Sequence, residues 1–493
     1  MPFNIGLFTS QQVRELKLIM LLKKQKTLRD YKNICQQLNC SFLTLQTEIA
    51  TLQAFPEIKD VQYIYSHLKV QFEEQFGARK LYQSVILESN GLRLLEELFL
   101  SDFDSVDVLA EELFISLSTL KRLFKKTNTY LDAHYDFVID IKELALSGDE
   151  TSIRLFYLRY FSEAYDQHVW PFSGYLEEDL VDQLLEKSPL GQLAEQDFSL
   201  YHHLKILTAI NLLRLQKGYR TGRFFDKSLD WFLGQDFAEL ENTLGLTLSA
   251  ETLSEIFGDY LQEGLLFEET DIEEASQNKL TVALEALGHL EETFGLAITN
   301  QKQVAAMFHN ALLLGPWDQH QAFLIYDYRQ DYLDYFKSDY PKLYQEIEKR
   351  LKTVFEATQN PFSDKDFEHL AYILLISWDN LFLHLSHQIK KHRLLIVERG
   401  SHNVGQFLQA YLGQFFEITL FKGHDLKTLD IERNFDLVLT DTILEEMTDV
   451  SVYYFSQLVP SLALSRLNKY LRENLQKNSS KRGLAVNWHC LIG

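Results

Sequence analysis

A chain of 493 residues is long enough to hold several hydrophobic cores, because single cores stop growing near ~250–300 residues. A composition of 46% hydrophobic and 24% charged residues belongs to folded globular protein and excludes a mainly disordered one. The formal net charge of −22 opposes nucleic acid at long range, so any contact with it has to come from a local concentration of cations.

The first residues, MPFNIGLFTSQQ, carry no charged-then-apolar signal pattern, and the most apolar run, LAYILLISW from Leu370 to Trp378, is too short for a bilayer. Three cysteines, Cys35, Cys40 and Cys490, offer neither a disulfide ladder nor a zinc cluster. A reducing cytoplasm and no membrane span are expected.

The first patterned segment runs from Thr27 to Gln53. Ile34, Cys35 and Leu38 make one short helical stripe, Leu45 and Ile49 a second, and Ser41 stands where an N-cap would start the second helix. That is helix-turn-helix grammar. The following DVQYIYSHLKVQF alternates apolar and polar residues about Ser66 and His67, which predicts a hairpin wing.

The same grammar returns at a constant offset of 75 residues, with Leu109, Ala110 and Leu113, then Ser116, Leu120 and Phe124, and afterwards the β-rich FVIDI and Gly148. Two winged helix-turn-helix modules in tandem are therefore predicted over roughly the first 150 residues.

Each second helix would enter a major groove. In the first module the candidate DNA-binding residues are Ser41, Phe42, Thr44, Gln46 and Thr47, with Leu43 beside them. In the second they are Ser116, Ser118, Thr119, Lys121, Arg122, Lys125 and Lys126, with Leu117 exposed. Arg122 is the best candidate for bidentate guanine contact, and the lysines suit phosphates. The first module's cations lie instead at Arg14, Lys17, Lys23, Lys24, Lys26, Arg29 and Lys32. With so few side chains suited to base edges, modest sequence selectivity, a dependence on DNA shape and a steep salt dependence are expected.

From Glu150 to Lys391 the pattern is helical. Ile153, Phe156, Tyr157 and Tyr160 form one stripe, and Leu204, Leu207, Leu212 and Leu215 another, behind the pair His202 and His203. His309 and His369 follow. No H-E-x-x-H or carboxylate–histidine spacing accompanies them, so no metal site is expected. Each histidine is read either as a hydrogen-bonded structural residue or as a phosphoryl acceptor.

From His392 the pattern changes to HRLLIV as a strand, a helix from Ser401, then FEITLF and FDLVLTD as strands, a βαβ arrangement for a small parallel sheet. The loop VERGSHNVG has an anion-accepting position at a helix start but neither glycine spacing of a nucleotide loop.

The tandem helix-turn-helix units, the junction LSGDETSIRLFYLRYF, the helix SLYHHLKILTAINLLRLQKGY and the terminal βαβ unit together resemble the Mga/AtxA family of global transcriptional regulators, the streptococcal Mga branch in particular. The resemblance implies a predominantly α, multidomain fold. Its parts are winged helix-turn-helix domains over 1–75 and 76–165, helical PTS-regulation (PRD-like) domains over 166–285 and 286–391, and an α/β domain like a sugar-phosphotransferase B component over 392–493.

It also implies a cytoplasmic, non-enzymatic regulator of virulence or metabolic genes that uses no cofactor. Double-stranded DNA, a second copy of the chain in a homodimer or larger oligomer, and a PTS phosphocarrier protein would be its partners. His202, His203, His309 and His369 would be the phosphoacceptor candidates, although a His-His pair stands where the family pattern has Asp-His. A B component carries phosphate on a cysteine in its first strand-to-helix loop; Glu398, Arg399, Gly400 and Ser401 stand there instead, which implies a degenerate copy. A phosphotransfer protein and an RNA antiterminator are the rival readings.

Overall fold

The computed structural model of the chain describes residues 6–454 apart from 24–28, 66, 74–77, 196, 224–229, 233, 359–363, 389–390, 400–402, 414–415, 425, 427–428 and 445–449. Its contacts form two compact units. One comprises the described residues up to Glu268 together with His309–Tyr328, the other Glu269–Phe308 and the described residues from Arg329 onward.

The first unit begins with α1 (Ser10–Lys23), β1 (Arg29–Asp30), α2 (Tyr31–Leu38), α3 (Phe42–Leu52), β2 (Ile58–Ile64) and β3 (His67–Phe72). The three strands pair antiparallel in the order β1-β3-β2. The expected stripe residues Ile34, Leu38, Leu45 and Ile49 are all buried, each such burial being worth roughly 1.5–3 kcal/mol. Cys35 is half-buried at the edge of the same core. Helix α2 stops at Asn39, whose left-handed φ of 49° closes the turn into α3.

The second module repeats the plan with α4 (Ala78–Leu87), α5 (Asn90–Leu100), α6 (Val106–Glu112), α7 (Leu117–His134), and the hairpin of β4 (Phe137–Asp140) with β5 (Ala145–Gly148). Leu109, Ala110, Leu113, Leu120 and Phe124 are buried as expected. Helix α7 runs on to His134 because Thr127, Tyr130 and Leu131 continue its buried stripe. The Asn128 side chain holds the wing by exchanging two 2.8 Å hydrogen bonds with the Ile139 backbone. Gly148, at φ +146°, ends the wing where a Cβ would sit 2.4 Å from the Asp136 carbonyl oxygen, so no other residue fits.

Asp149 then caps α8 (Glu150–Ala164) through the Ser152 N–H. Ile153, Phe156, Tyr157 and Tyr160 are buried, but so are Arg154 and Glu163: α8 is enclosed on nearly every side. The helix Phe198–Gln216 packs on it and is likewise buried almost all round beyond His202, including Asn211 and Arg214, where one apolar stripe was expected. The helix Ala250–Leu261 packs on that one in turn.

The second unit contains the helices Thr281–Phe294, Pro341–Thr358, Asp364–Ser377 and Leu381–Gln388, and a sheet of β6 (His392–Val397), β7 (Phe416–Leu420), β8 (Leu437–Thr440) and β9 (Ser451–Tyr454). All its pairings are parallel, in the order β7-β6-β8-β9. The three anticipated strands are present. The fourth, β9, was not anticipated because SVYY is short, sits at the edge and has exposed ends without apolar alternation. Ser401, the expected helix start, lies outside the described residues; the helix is described as Asn403–Leu412. Among the described residues no helix is long and apolar enough to cross a membrane.

Candidate nucleic-acid interface

The two second helices begin identically. Ser41 Oγ accepts the Thr44 N–H at 3.1 Å and Ser116 Oγ the Thr119 N–H at 3.2 Å. Each serine hydroxyl also meets the threonine hydroxyl at 2.9 Å, and Ser118 Oγ lies 3.0 Å from Ser116 Oγ. These side chains start the helices and orient them; the faces left to a partner lie further along.

On α7 that face is Lys121, Arg122 and Lys125, all exposed. The Arg122 Nε donates to the Ser118 carbonyl at 3.4 Å, which lays the guanidinium along the helix. Lys126 is exposed as well, but its ammonium donates to the Phe8 carbonyl, and partial burial makes it hold its proton less tightly than an ordinary lysine. That bond ties Phe8 to α7.

On α3 the face is nearly uncharged. Leu43 is 74% exposed, Gln46 and Thr47 are exposed, and Thr47 Oγ1 donates back to the Leu43 carbonyl. Phe42 packs against Tyr31 with ring centroids 4.5 Å apart and the planes tilted by 39°. Of the cations expected around this module, Arg14 is paired with buried Glu48, Lys17 is half-buried and Lys32 exposed. Lys24 and Lys26 lie outside the described residues, as does Ser66 at the wing turn. Sequence reasoning passed over Tyr65, 98% exposed at the tip of the first wing with φ 52°, and Phe114, 88% exposed in the second module's turn with φ 55°. Nothing but turn position distinguishes them in the sequence.

Helix α8 joins the second wing to the helical region through a buried cluster. Glu150 Oε1 accepts from Arg154 Nε at 3.0 Å and Arg214 Nε at 2.9 Å, and Oε2 accepts from Arg214 Nη2 at 2.6 Å. Arg154 also donates to the Asn211 side chain, the Glu255 carbonyl and the Tyr219 carbonyl, and pairs with the Glu255 carboxylate at 3.2 Å. Two guanidiniums and two carboxylates thus balance in a site where no side chain is more than 10% exposed. Arg214 stacks on the Tyr219 ring at 3.8 Å.

At its other end α8 presents Glu163, whose carboxylate accepts the N–H groups of Leu324, Ile325 and Tyr326 at 2.5–2.7 Å. Burial raises its pKa to about 7, against the opposing pull of those donors. The segment it grips, 315–326, is also held from two helices: His203 Nε2 of Phe198–Gln216 meets the Trp317 carbonyl at 2.9 Å, and the Tyr260 hydroxyl of Ala250–Leu261 donates to the same oxygen at 3.0 Å.

His203 is 4% exposed and burial depresses its pKa to about 3, whereas its neighbour His202 is half-buried and brought to about 4 by burial and by Arg79 and Lys205. His309 is half-buried with Nε2 2.9 Å from the Gly264 carbonyl. His369 is 2% exposed with Nδ1 3.2 Å from Arg329 Nη1. His203 and His309 each face a backbone carbonyl, and His369 faces a guanidinium. Among the described residues no cluster of His, Cys, Asp and Glu is placed to hold a metal ion.

In the first strand-to-helix loop of the terminal sheet, the Glu398 carboxylate accepts the Gly405 N–H at 3.2–3.3 Å, so an internal anion occupies the helix start. Gly400 and Ser401 lie outside the described residues.

Residues 9–66 match the family described as M protein trans-acting positive regulator (MGA) HTH domain, residues 74–161 the Mga helix-turn-helix domain, and residues 177–381 the MGA PRD domain. A protein of Streptococcus pneumoniae serotype 4 named as a trans-acting regulator is 21% identical over 476 residues, 92% of this chain and 96% of its own. The capsule synthesis positive regulators AcpB and AcpA of Bacillus anthracis are 30% and 22% identical over 33% and 35% of this chain, and 35% and 36% of theirs.

Proposed function

Since this chain belongs to the Mga/AtxA family of PRD-containing transcriptional regulators, we propose that it binds double-stranded DNA with α3 and α7 in successive major grooves and the two wings against the flanking backbone. The observation that carries the reading is the duplicated, serine-capped helix that displays Lys121, Arg122 and Lys125 on a molecule of net charge −22. One module grips phosphates and the other offers apolar and amide groups, which gives low sequence specificity, a contribution from DNA shape and a steep loss of affinity with salt.

The acidic bulk keeps the rest of the molecule off the duplex. Helix α8 and segment 315–326 form the route by which changes at His203 reach the second module. Phosphoryl transfer from a PTS phosphocarrier to His202, His203, His309 or His369, and self-association as a homodimer or larger oligomer, set the activity. Virulence or metabolic genes are the targets, in line with the capsule regulators among its relatives. The domain limits of the sequence reading, 1–75, 76–165, 166–285, 286–391 and 392–493, are retained, with the last an association domain. Glu398 at its helix start disfavours the rival phosphotransfer reading.

A band-shift titration of the full chain on duplex DNA over a range of salt tests the proposal. Replacing Lys121, Arg122 and Lys125 with Ala should weaken binding about ten-fold or more and lower the salt slope by about two to three. Unchanged binding would overturn it.

A further inference from the structure

The helix-turn-helix turn of the first module contains a chemical group with no part in the DNA reading. Helix α2 ends in a turn in which Asn39 takes φ 49° and the Cys40 N–H bonds to the Cys35 carbonyl at 3.0 Å. This six-residue closure is the helix-ending motif in which the side chains three residues before and two residues after the cap come into contact. Here both are cysteines. Neither is in a disulfide, and both are half-buried at the edge of the core.

Two residues across a single closed helical turn lie within the reach that a disulfide bond needs. Cys40 directly precedes Ser41, the cap that starts α3.

We propose that Cys35 and Cys40 are a redox-sensitive dithiol that a peroxide-class oxidant closes into an intramolecular disulfide, tightening the turn, displacing the start of α3 and weakening the first module's hold on DNA. The last clause rests on the function proposed above; the dithiol does not.

Cys35 is the attacking sulfur, because burial, and after it the neighbouring Cys35 and Glu48, make Cys40 hold its proton more tightly than an ordinary thiol against the weaker pull of Arg14. The Cys35 thiolate forms an S–O bond as the peroxide O–O bond breaks, and the leaving hydroxide takes a proton to become water. The Cys40 sulfur then displaces the oxygen of the sulfenic acid, the S–S bond forms, and a second water leaves with the Cys40 proton. The protein loses two protons and two electrons, and the peroxide is reduced to two waters.

The test uses the full chain carrying Cys490→Ser, so that only this pair reacts, titrated with hydrogen peroxide. Intact mass should fall by about 2 Da with both thiols lost to alkylation, a Cys35–Cys40 cross-linked peptide should appear, and dithiothreitol should reverse both. DNA affinity should drop about five- to ten-fold on oxidation, the loss of one or two groove contacts, and return on reduction. Cys35→Ser, with its helix content checked by circular dichroism, should show neither change. A mass increase of about 16 or 32 Da, from oxygen added without cross-linking, would overturn the dithiol, as would disulfides only between chains. A Cys35–Cys40 disulfide with unaltered DNA affinity would overturn the regulatory half. Should the reduced protein fail to bind DNA at all, the fault lies with the proposed function, and the mass result still decides the dithiol.

Discussion

Arg214→Met removes one guanidinium from the buried cluster while keeping most of the side chain's length and its apolar stem. In the intact protein Glu150 accepts three charge-assisted hydrogen bonds, two of them from Arg214 at 2.9 and 2.6 Å, with the guanidinium 2% and the carboxylate 10% exposed. After the substitution two carboxylates face the single guanidinium of Arg154, leaving one buried negative charge uncompensated. Removing one partner of such a pair costs about 3–5 kcal/mol, a large fraction of an ordinary domain's stability.

Glu150→Gln in the same chain neutralises the stranded charge and leaves Arg154 balanced by Glu255. The double variant should therefore be more stable than the sum of the two single losses predicts, with a coupling of about 1–3 kcal/mol. Chemical denaturation followed by tryptophan fluorescence and circular dichroism measures all four proteins. A loss below about 0.5 kcal/mol for Arg214→Met, or strict additivity in the double variant, would refute the cluster as a clamp between α8 and the helix Phe198–Gln216.

Three further outcomes are expected. Glu163 is protonated more readily folded, at about 7, than unfolded, at 4.5; between these values the unfolded chain releases a proton that the folded one keeps. Stability therefore falls as pH rises from about 4.5 to 7, by about 3 kcal/mol at most, and Glu163→Gln should remove that part of the pH dependence of unfolding midpoints. His203 works in the opposite sense: its depressed pKa of about 3 against 6.5 unfolded means that stability is lost as pH drops below about 6.5, by up to about 5 kcal/mol. The difference between the chain and His203→Gln should grow over that window. Ser116→Ala should lower stability by about 1 kcal/mol through the lost cap on the Thr119 N–H, measured by thermal unfolding; no change would mean that water caps the helix equally well.

Much of the helix-turn-helix architecture was legible in the residues because its signals are local. A serine before an apolar helical stripe reports a cap wherever the helix finally packs, and repetition of the whole pattern 75 residues later guards against coincidence. Alternation reported the first wing, β-rich FVIDI before Gly148 the second, and continuous apolar runs reported the buried parallel strands. The cluster of α8 was not legible. Glu150 and Arg154 look like a surface pair one helical turn apart, and Arg214 and Glu255 look like solvated charges; their burial follows from which helices enclose α8, a long-range property. The same holds for Lys126, whose partner, the Phe8 carbonyl, lies 118 residues away, and for Glu163, whose three donors come from a loop some 160 residues on.

What the order of residues determined alone is therefore the set of short-range objects: capped helices, hairpins, the duplicated reading head and its cations, each governed by hydrogen bonds and periodicities spanning a few positions. Tertiary structure decided which charges are enclosed and which face water. That choice turns on desolvation, which depends on every neighbour in space and on none in particular along the chain.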